Sequence, residues 1–266
     1  MPECGMGRFE HGEYVINDAL DQLGTVRNEA ALCVFDDAWA RPKRGDAFGV
    51  EYPTHSFHRT GVILHEIEQA LAGGGWLIAD ADDWVLPKLI RRLSKRWGNV
   101  AETYEGGGYR KTGRVTLISS DGTPDRSTPG EYLSTGGYPV VFAHKGETDR
   151  RTSESASQIA RRPTERYGWG SVKPTAPYIR WVEALTEPGE LVLVPCAGTA
   201  PAAIAAERLG RRWLAIDTER EAREAFLRRA DAELADGQQT LFAATDGGNS
   251  RSLAPDTDRS KGGEST

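Results

Sequence analysis

Cysteine is scarce in this chain: 266 residues hold three, Cys4, Cys33 and Cys196. An odd number at wide spacing builds neither a disulfide framework nor a zinc knuckle, and it suits a reducing cytoplasm. No stretch approaches the roughly 20 consecutive apolar residues of a membrane span. The opening MPECGMGRFEHGEY lacks a basic, apolar signal, so export and membrane insertion are not expected. Positive charge is not in excess either. Thirty-three Lys and Arg stand against 39 Asp and Glu, a net charge of -6. The field of the whole molecule therefore does not draw nucleic acid, and any DNA contact needs a local patch. YPTHSFHRTGVILHE contains His55, His58 and His65, but no fourth ligand follows at metal-site spacing, so no metal is expected. No internal repeat is visible.

What is present is an alternation of buried strands and amphipathic helices. The hydrophobic fraction of 38% is ample for a core. EYVIND (13–18) reads as a strand ending on Asp18. AALCVFDD (30–37) is a continuous apolar run closed by two carboxylates, the pattern of a parallel strand covered on both faces. RTGVILHEIEQALAGGG reads as a helix with a glycine stop, followed by the strand GWLIAD. WVLPKLIRRLSKRWG is helical. NVAETYE, RVTLIS and YPVVFAHK read as strands. TAPYIRWVEALT, APAAIAAERLG and EREAREAFLRRADAELA are helices that flank the strands ELVLVP and RRWLAI. Between them, 146–174 is polar, arginine-dotted and without clear period. Residues 1–242 form one domain on this reading, and the polar 243–266 is expected to be a disordered tail. Strands alternating with helices imply an α/β fold with a mostly parallel sheet.

In such sheets ligands bind at the carboxyl ends of the strands. Carboxylates stand at three of these ends: Asp18, the pair Asp36 and Asp37, and Asp217. A fourth end carries the small-residue turn PCAGTA, Pro195 to Ala200, which opens a helix. Small residues let the backbone approach a ligand, and a helix N-terminus offers free N–H groups. Asp217 follows Gly198 by 19 residues, at the end of the next strand, where a carboxylate can accept from ribose hydroxyls. In VFDDAW a carboxylate, a backbone carbonyl and an aromatic ring arrive together. The first two can accept hydrogens from an amino group, and the ring can stack on the base that bears it.

These segments together resemble the DNA amino-methyltransferases, which methylate adenine N6 or cytosine N4. DDAW (36–39) stands where that family has Asp/Ser/Asn–Pro–Pro–aromatic. VLVPCAGTA (192–200) stands where it has its glycine-rich cofactor loop. VKPTAPYIRWVEALTEPGELVL and AAERLGRRWLAID follow the flanking family pattern closely. The catalytic motif precedes the cofactor loop, the circularly permuted order of the beta class. Val194, Cys196 and Ala200 replace an acidic residue, a Phe and a Gly of the family pattern, and Asp37 and Ala38 replace its two prolines.

The resemblance implies a single Rossmann-like, S-adenosylmethionine-dependent methyltransferase domain with one antiparallel strand in its sheet. It implies catalytic residues Asp36, Asp37, Ala38 and Trp39. Cofactor contacts fall on Asp18, Lys173, Pro195, Cys196, Ala197, Gly198, Thr199, Ala200 and Asp217. The partner is double-stranded DNA, with adenine favoured by the Asp at position 36. His55, His58 and Arg59 are expected to face DNA, as are Arg150, Arg151, Arg161, Arg162 and Arg166 of the target-recognition segment, 146–172. That segment is short, which implies a short target or a contribution from a second subunit in a homodimer. Two other readings fit the replaced residues. One is a relative that keeps the fold and binds DNA or a protein without transferring a methyl group. The other is a methyltransferase acting on protein or a small molecule. Binding of S-adenosylmethionine separates the first of these from the enzymes.

Overall fold

The chain's two most apolar strands are also its most buried. In the computed structural model every residue of β2 (Ala30–Phe35) and β7 (Leu191–Pro195) is buried, as a strand covered on both faces requires. The structure describes residues 9–37, 56–96, 107–125 and 136–246. Around β2 and β7 lie β1 (Gly12–Ile16), β3 (Leu71–Asp80), β4 (Gly108–Ile118), β5 (Gly137–His144), β6 (Gln158–Arg161) and β8 (Arg212–Asp217). The order across the eight-stranded sheet is β1-β8-β7-β2-β3-β5-β4-β6. Only β5 runs antiparallel to its neighbours, β3 and β4; every other pairing among the described strands is parallel. The expected mostly parallel sheet with one antiparallel strand is therefore present.

Period-two alternation splits the core into two layers. Cys33 and Phe35 of β2 face α1 (Ala19–Leu23), α2 (Phe57–Ala70) and α3 (Leu86–Arg96), meeting Leu23, Ile63, Leu64, Leu89 and Leu93. Leu32 and Val34 face α4 (Ala176–Leu185), α5 (Pro201–Arg208) and α6 (Arg220–Asp246), meeting Tyr178, Trp181, Ile204 and Phe226. The helix α6 runs as far as Asp246, past the expected domain end at 242; residues 247–266 of the expected tail lie outside the described residues. So does all of NVAETYE (99–105).

Two local expectations are corrected. The glycines of LAGGG do not stop α2, which ends at Ala70; they lie inside β3, which begins at Leu71. Ala30 pairs with Leu71 but Leu32 with Trp76, so the glycines supply a bulge that re-registers the strand. The backbones of Gly74 and Gly75 bond to Lys145 on β5's side, at 2.7 and 2.9 Å. The second correction is β6, a short strand within the segment expected to be irregular. A Cβ at Gly75 would sit 2.8 Å from the Ala30 carbonyl oxygen. Gly75→Ala should accordingly lower stability by roughly 1–3 kcal/mol, the usual cost of overpacking. A urea midpoint equal to that of the wild type, at unchanged slope, would show that the bulge tolerates a side chain.

Candidate active site

Five adjacent parallel strands, β1, β8, β7, β2 and β3, point their carboxyl ends the same way. One cleft lies across these ends. Its lining takes Asp18 after β1, Asp36 and Asp37 after β2, Asp80 at the end of β3, Cys196 to Thr199 after β7, and Asp217 to Glu219 after β8. Lys173, Trp169 and Ser171 close it from the segment that leads into α4. Six carboxylates and two cations, Arg59 and Lys173, line the space. The local field favours a ligand that carries positive charge.

At the centre sits Lys173. Its ammonium contacts Asp36 Oδ2 and lies 2.9 Å from Asp80 Oδ2. Nζ also stands 4.7 Å from the centre of the Tyr138 ring. The Tyr178 hydroxyl donates to the same Asp80 oxygen, and it lies 3.2 Å from the Tyr138 hydroxyl. Asp80 is 1% exposed, and its Oδ1 has no hydrogen-bond partner among the described residues. Burial pushes the Asp80 carboxyl up to about 6 against the pull of Lys173, and repulsion from Asp36 adds to the rise. Burial opposes the Lys173 ammonium too, but Asp36 and Asp80 outweigh it and hold its pKa above the ordinary value. Lysine thus stays charged through the neutral range. Asp36 keeps a side chain 44% exposed.

The small-residue turn is built as a cradle. Cys196, Gly198 and Ala200 all adopt positive φ, at 55°, 52° and 43°. Ala200 therefore holds the left-handed backbone that glycine adopts without cost, and holds it with its methyl fully buried. Left-handed geometry costs a non-glycine residue about 1 kcal/mol or more, so the surroundings must impose it. They do so from three sides. Asp217 Oδ2 accepts from Gly198 N at 2.8 Å, and the Tyr14 hydroxyl donates to the Gly198 carbonyl at 2.8 Å. Arg229 of α6, 1% exposed, donates to Thr199 Oγ1 at 2.9 Å, to the Lys173 carbonyl at 2.8 Å and to Glu233 at 2.7 Å. One guanidinium thus ties the turn to the lysine segment. Burial, then the nearby Asp37 and Asp217 charges, push the Cys196 thiol well above its ordinary pKa, which leaves it a neutral packing group.

No family model matches the chain, and no curated protein matches it. Solved structures do. M1.HpyAVI in its complex with SAM superposes with a TM-score of 0.59 at 12% identity, over 82% of this chain and 98% of that one. The cytosine-N4-specific PvuII DNA methyltransferase gives 0.59 at 14% identity, over 82% and 87%. TTHA0409 from Thermus thermophilus, complexed with S-adenosyl-L-methionine, gives 0.59 at 16% identity, over 84% and 94%. The chain shares the fold of these three solved structures. At these identities the likeness establishes the Rossmann-like architecture, and the activity must be argued from the cleft.

The sequence-derived residues divide under this geometry. Asp18, Asp36, Asp37, Asp217 and the Cys196–Thr199 turn meet in the cleft. Lys173 meets them there too, yet its ammonium holds Asp36 and not the turn. The Asp37 side chain is buried and accepts from Thr60 of α2. Arg59, expected to face DNA, lines the cleft and pairs with Asp18. Arg150 is bound to Glu190, just before β7 begins, and to the Leu185 carbonyl. That is the edge of the sheet opposite the cleft. Arg151 is exposed close by in sequence, while Arg161, Arg162 and Arg166 follow the cleft-side end of β6. Arg162 pairs with Asp125 at 3.1 Å. His58 is exposed on α2. Ala38, Trp39 and His55 lie outside the described residues.

Missing from the sequence reading were Asp80, Tyr178, Trp169 and Arg229. Asp80 carried the same signal as the other three strand ends, a carboxylate closing an apolar run. Its raised pKa gives a pH test. The folded state holds this proton more tightly than the unfolded chain does. The resulting stability is complete below the ordinary carboxyl value of 3.8 and is lost as pH rises through about 6. Asp80→Asn removes that dependence. Its thermal midpoint should gain on the wild type between about pH 4 and pH 7. A difference that stays constant across this range would mean that Asp80 titrates normally.

Proposed function

We propose that this protein transfers a methyl group from S-adenosylmethionine to the exocyclic amine of a DNA base turned out of the duplex, with adenine N6 the preferred acceptor. The observation that carries the reading is the meeting of two devices in one cleft: a carboxylate, Asp36, fixed by a largely buried lysine, and a strained small-residue turn backed by Asp217. The turn and Asp217 fit the cofactor. Asp217 can accept from ribose hydroxyls, the turn leaves room for close backbone approach, and the acidic lining suits a ligand bearing a sulfonium and an ammonium. When bound, S-adenosylmethionine supplies an electrophilic methyl carbon.

The chain's own residues do the rest. An exocyclic amine is a poor nucleophile because its lone pair is delocalised into the ring. Asp36 accepts one amine hydrogen and the Asp37 carbonyl the other, which turns the nitrogen towards tetrahedral geometry and frees the lone pair. As the nitrogen gains its new bond it becomes acidic, and the Asp36 carboxylate takes the proton it sheds. Lys173 keeps Asp36 in place; Asp80 and Tyr178 keep Lys173 in place. Trp39 stacks on the extruded base. Arg161 and Arg166, at the cleft-side end of the recognition segment, meet the DNA near the target base. A reducing cytoplasm, where the DNA is, is the compartment that suits the two described thiols, Cys33 and Cys196.

Asp36→Ala tests this directly. Its hydrogen bond to the amine strengthens in the transition state, so turnover should fall by about 100-fold or more while cofactor affinity hardly changes. The measurement is tritium transfer from labelled S-adenosylmethionine to DNA, beside calorimetric titration with the cofactor. Transfer at the wild-type rate by Asp36→Ala would remove Asp36 from the chemistry. A wild type that binds cofactor or DNA but transfers to no DNA would make the protein a non-catalytic relative.

A further inference from the structure

The acidic chain contains one helix with the opposite character. The sequence of α3, LPKLIRRLSKR, carries five cations and no carboxylate. Leu89 and Leu93 are fully buried against the sheet. On the other side, Lys88, Arg91 and Lys95 are exposed, and so is Trp84 just ahead of the helix. Positions 88, 91 and 95 are spaced by three and four, so they share one helical face, and Trp84 stands in the turn that leads into it. None of the three cations pairs with a carboxylate among the described ion pairs; Lys88 alone has a cation–π contact, 5.9 Å from the Phe57 ring centre. Trp84 is 78% exposed. Its position is nonetheless fixed, because Asp82 Oδ1 accepts from the Trp84 and Val85 backbone N–H groups at 2.8 and 2.9 Å.

The place of this face matters as much as its charge. Trp84 follows by four residues Asp80, which lines the cleft. From there α3 runs about 16 Å back along the flank of the sheet. Beside it, a shallow groove between α2 and α3 is lined by His58, His65 and Arg92. We infer that the Trp84–Lys88–Arg91–Lys95 face is a track for the DNA phosphate backbone, leading from the cleft along α3. This rests on the proposed action on DNA and adds to it where the duplex lies. Charge complementarity selects the occupant: a row of unpaired cations in an acidic protein matches a polyanion. The apolar side of α3 is already committed to the core, so the helix has no face left to insert among lipid tails. Trp84, at the cleft end of the track, contributes a stacking surface in place of charge.

The test is anisotropy of a fluorescein-labelled duplex of about two helical turns, titrated with full-length protein at several salt concentrations. The triple variant Lys88→Gln, Arg91→Gln, Lys95→Gln should bind at least about tenfold more weakly near 0.1 M salt, with a salt slope shallower by about 2–3. The charge-preserving variant Lys88→Arg, Arg91→Lys, Lys95→Arg should match the wild type, which excludes a folding defect. Trp84→Ala should weaken binding by a similar factor at every salt concentration and leave the slope alone. Wild-type affinity and slope in the triple variant would overturn the track while leaving the action on DNA intact. If instead the wild type ignores every duplex and binds phosphatidylglycerol vesicles through the same three cations, the proposed action on DNA falls and the track with it.

Discussion

A largely buried ammonium held between two carboxylates organises the cleft. Lys173 reaches Asp36 at the end of β2 and Asp80 at the end of β3, so one side chain fixes the separation of two strand ends. Without it the two carboxylates would repel each other unless one took up a proton. Removing the lysine would leave Asp80 an unpaired charge in the core, a far larger cost than the pair's own net contribution. The backbone that carries Lys173 is in turn gripped by Arg229, which also holds Thr199 of the turn. The proposed cofactor side and the proposed acceptor side of the cleft are thereby one mechanical unit.

The turn holds a glycine-like shape with an alanine in it. Ala200 stands where a glycine is expected, and it takes the glycine's backbone conformation, φ 43° and ψ 57°. The strain is offset by bonds on both sides of Gly198 and by a methyl group packed into the core. The replacements at 194, 196 and 200 therefore do not collapse the cradle. Cys196 instead uses its thiol to touch Asp37, with Sγ 3.9 Å from Oδ1, linking the turn to the strand end where proline would otherwise stiffen the loop.

Much of the fold and part of the cleft were legible in the sequence. Continuous apolar runs closed by carboxylates located β1, β2 and β8 and the residues Asp18, Asp36 and Asp217, because that pattern is the direct signature of a parallel strand ending at a ligand edge. Asp80 bore the same signature and went unread. Trp169 and Arg229 had no signature, since one lies in an aperiodic segment and the other looks like any arginine on a charged helix. Arg150 could not be placed from local pattern at all. It is on the far edge because β5 is antiparallel and releases the chain there, which is a property of the sheet and not of the segment. The glycines before β3 were misread for a related reason: a bulge and a helix stop ask for the same residue.

The chemistry proposed for this cleft places a methyl group on the amino nitrogen of a base in DNA. Long-read modification mapping of DNA from cells that express the protein, against cells that express Asp36→Ala, tests it most directly. The expected result is N6-methyladenine at a short, recurring sequence in the first sample and its absence from the second. DNA without any modified exocyclic amine in either sample, from cells in which the protein is folded and abundant, would contradict it.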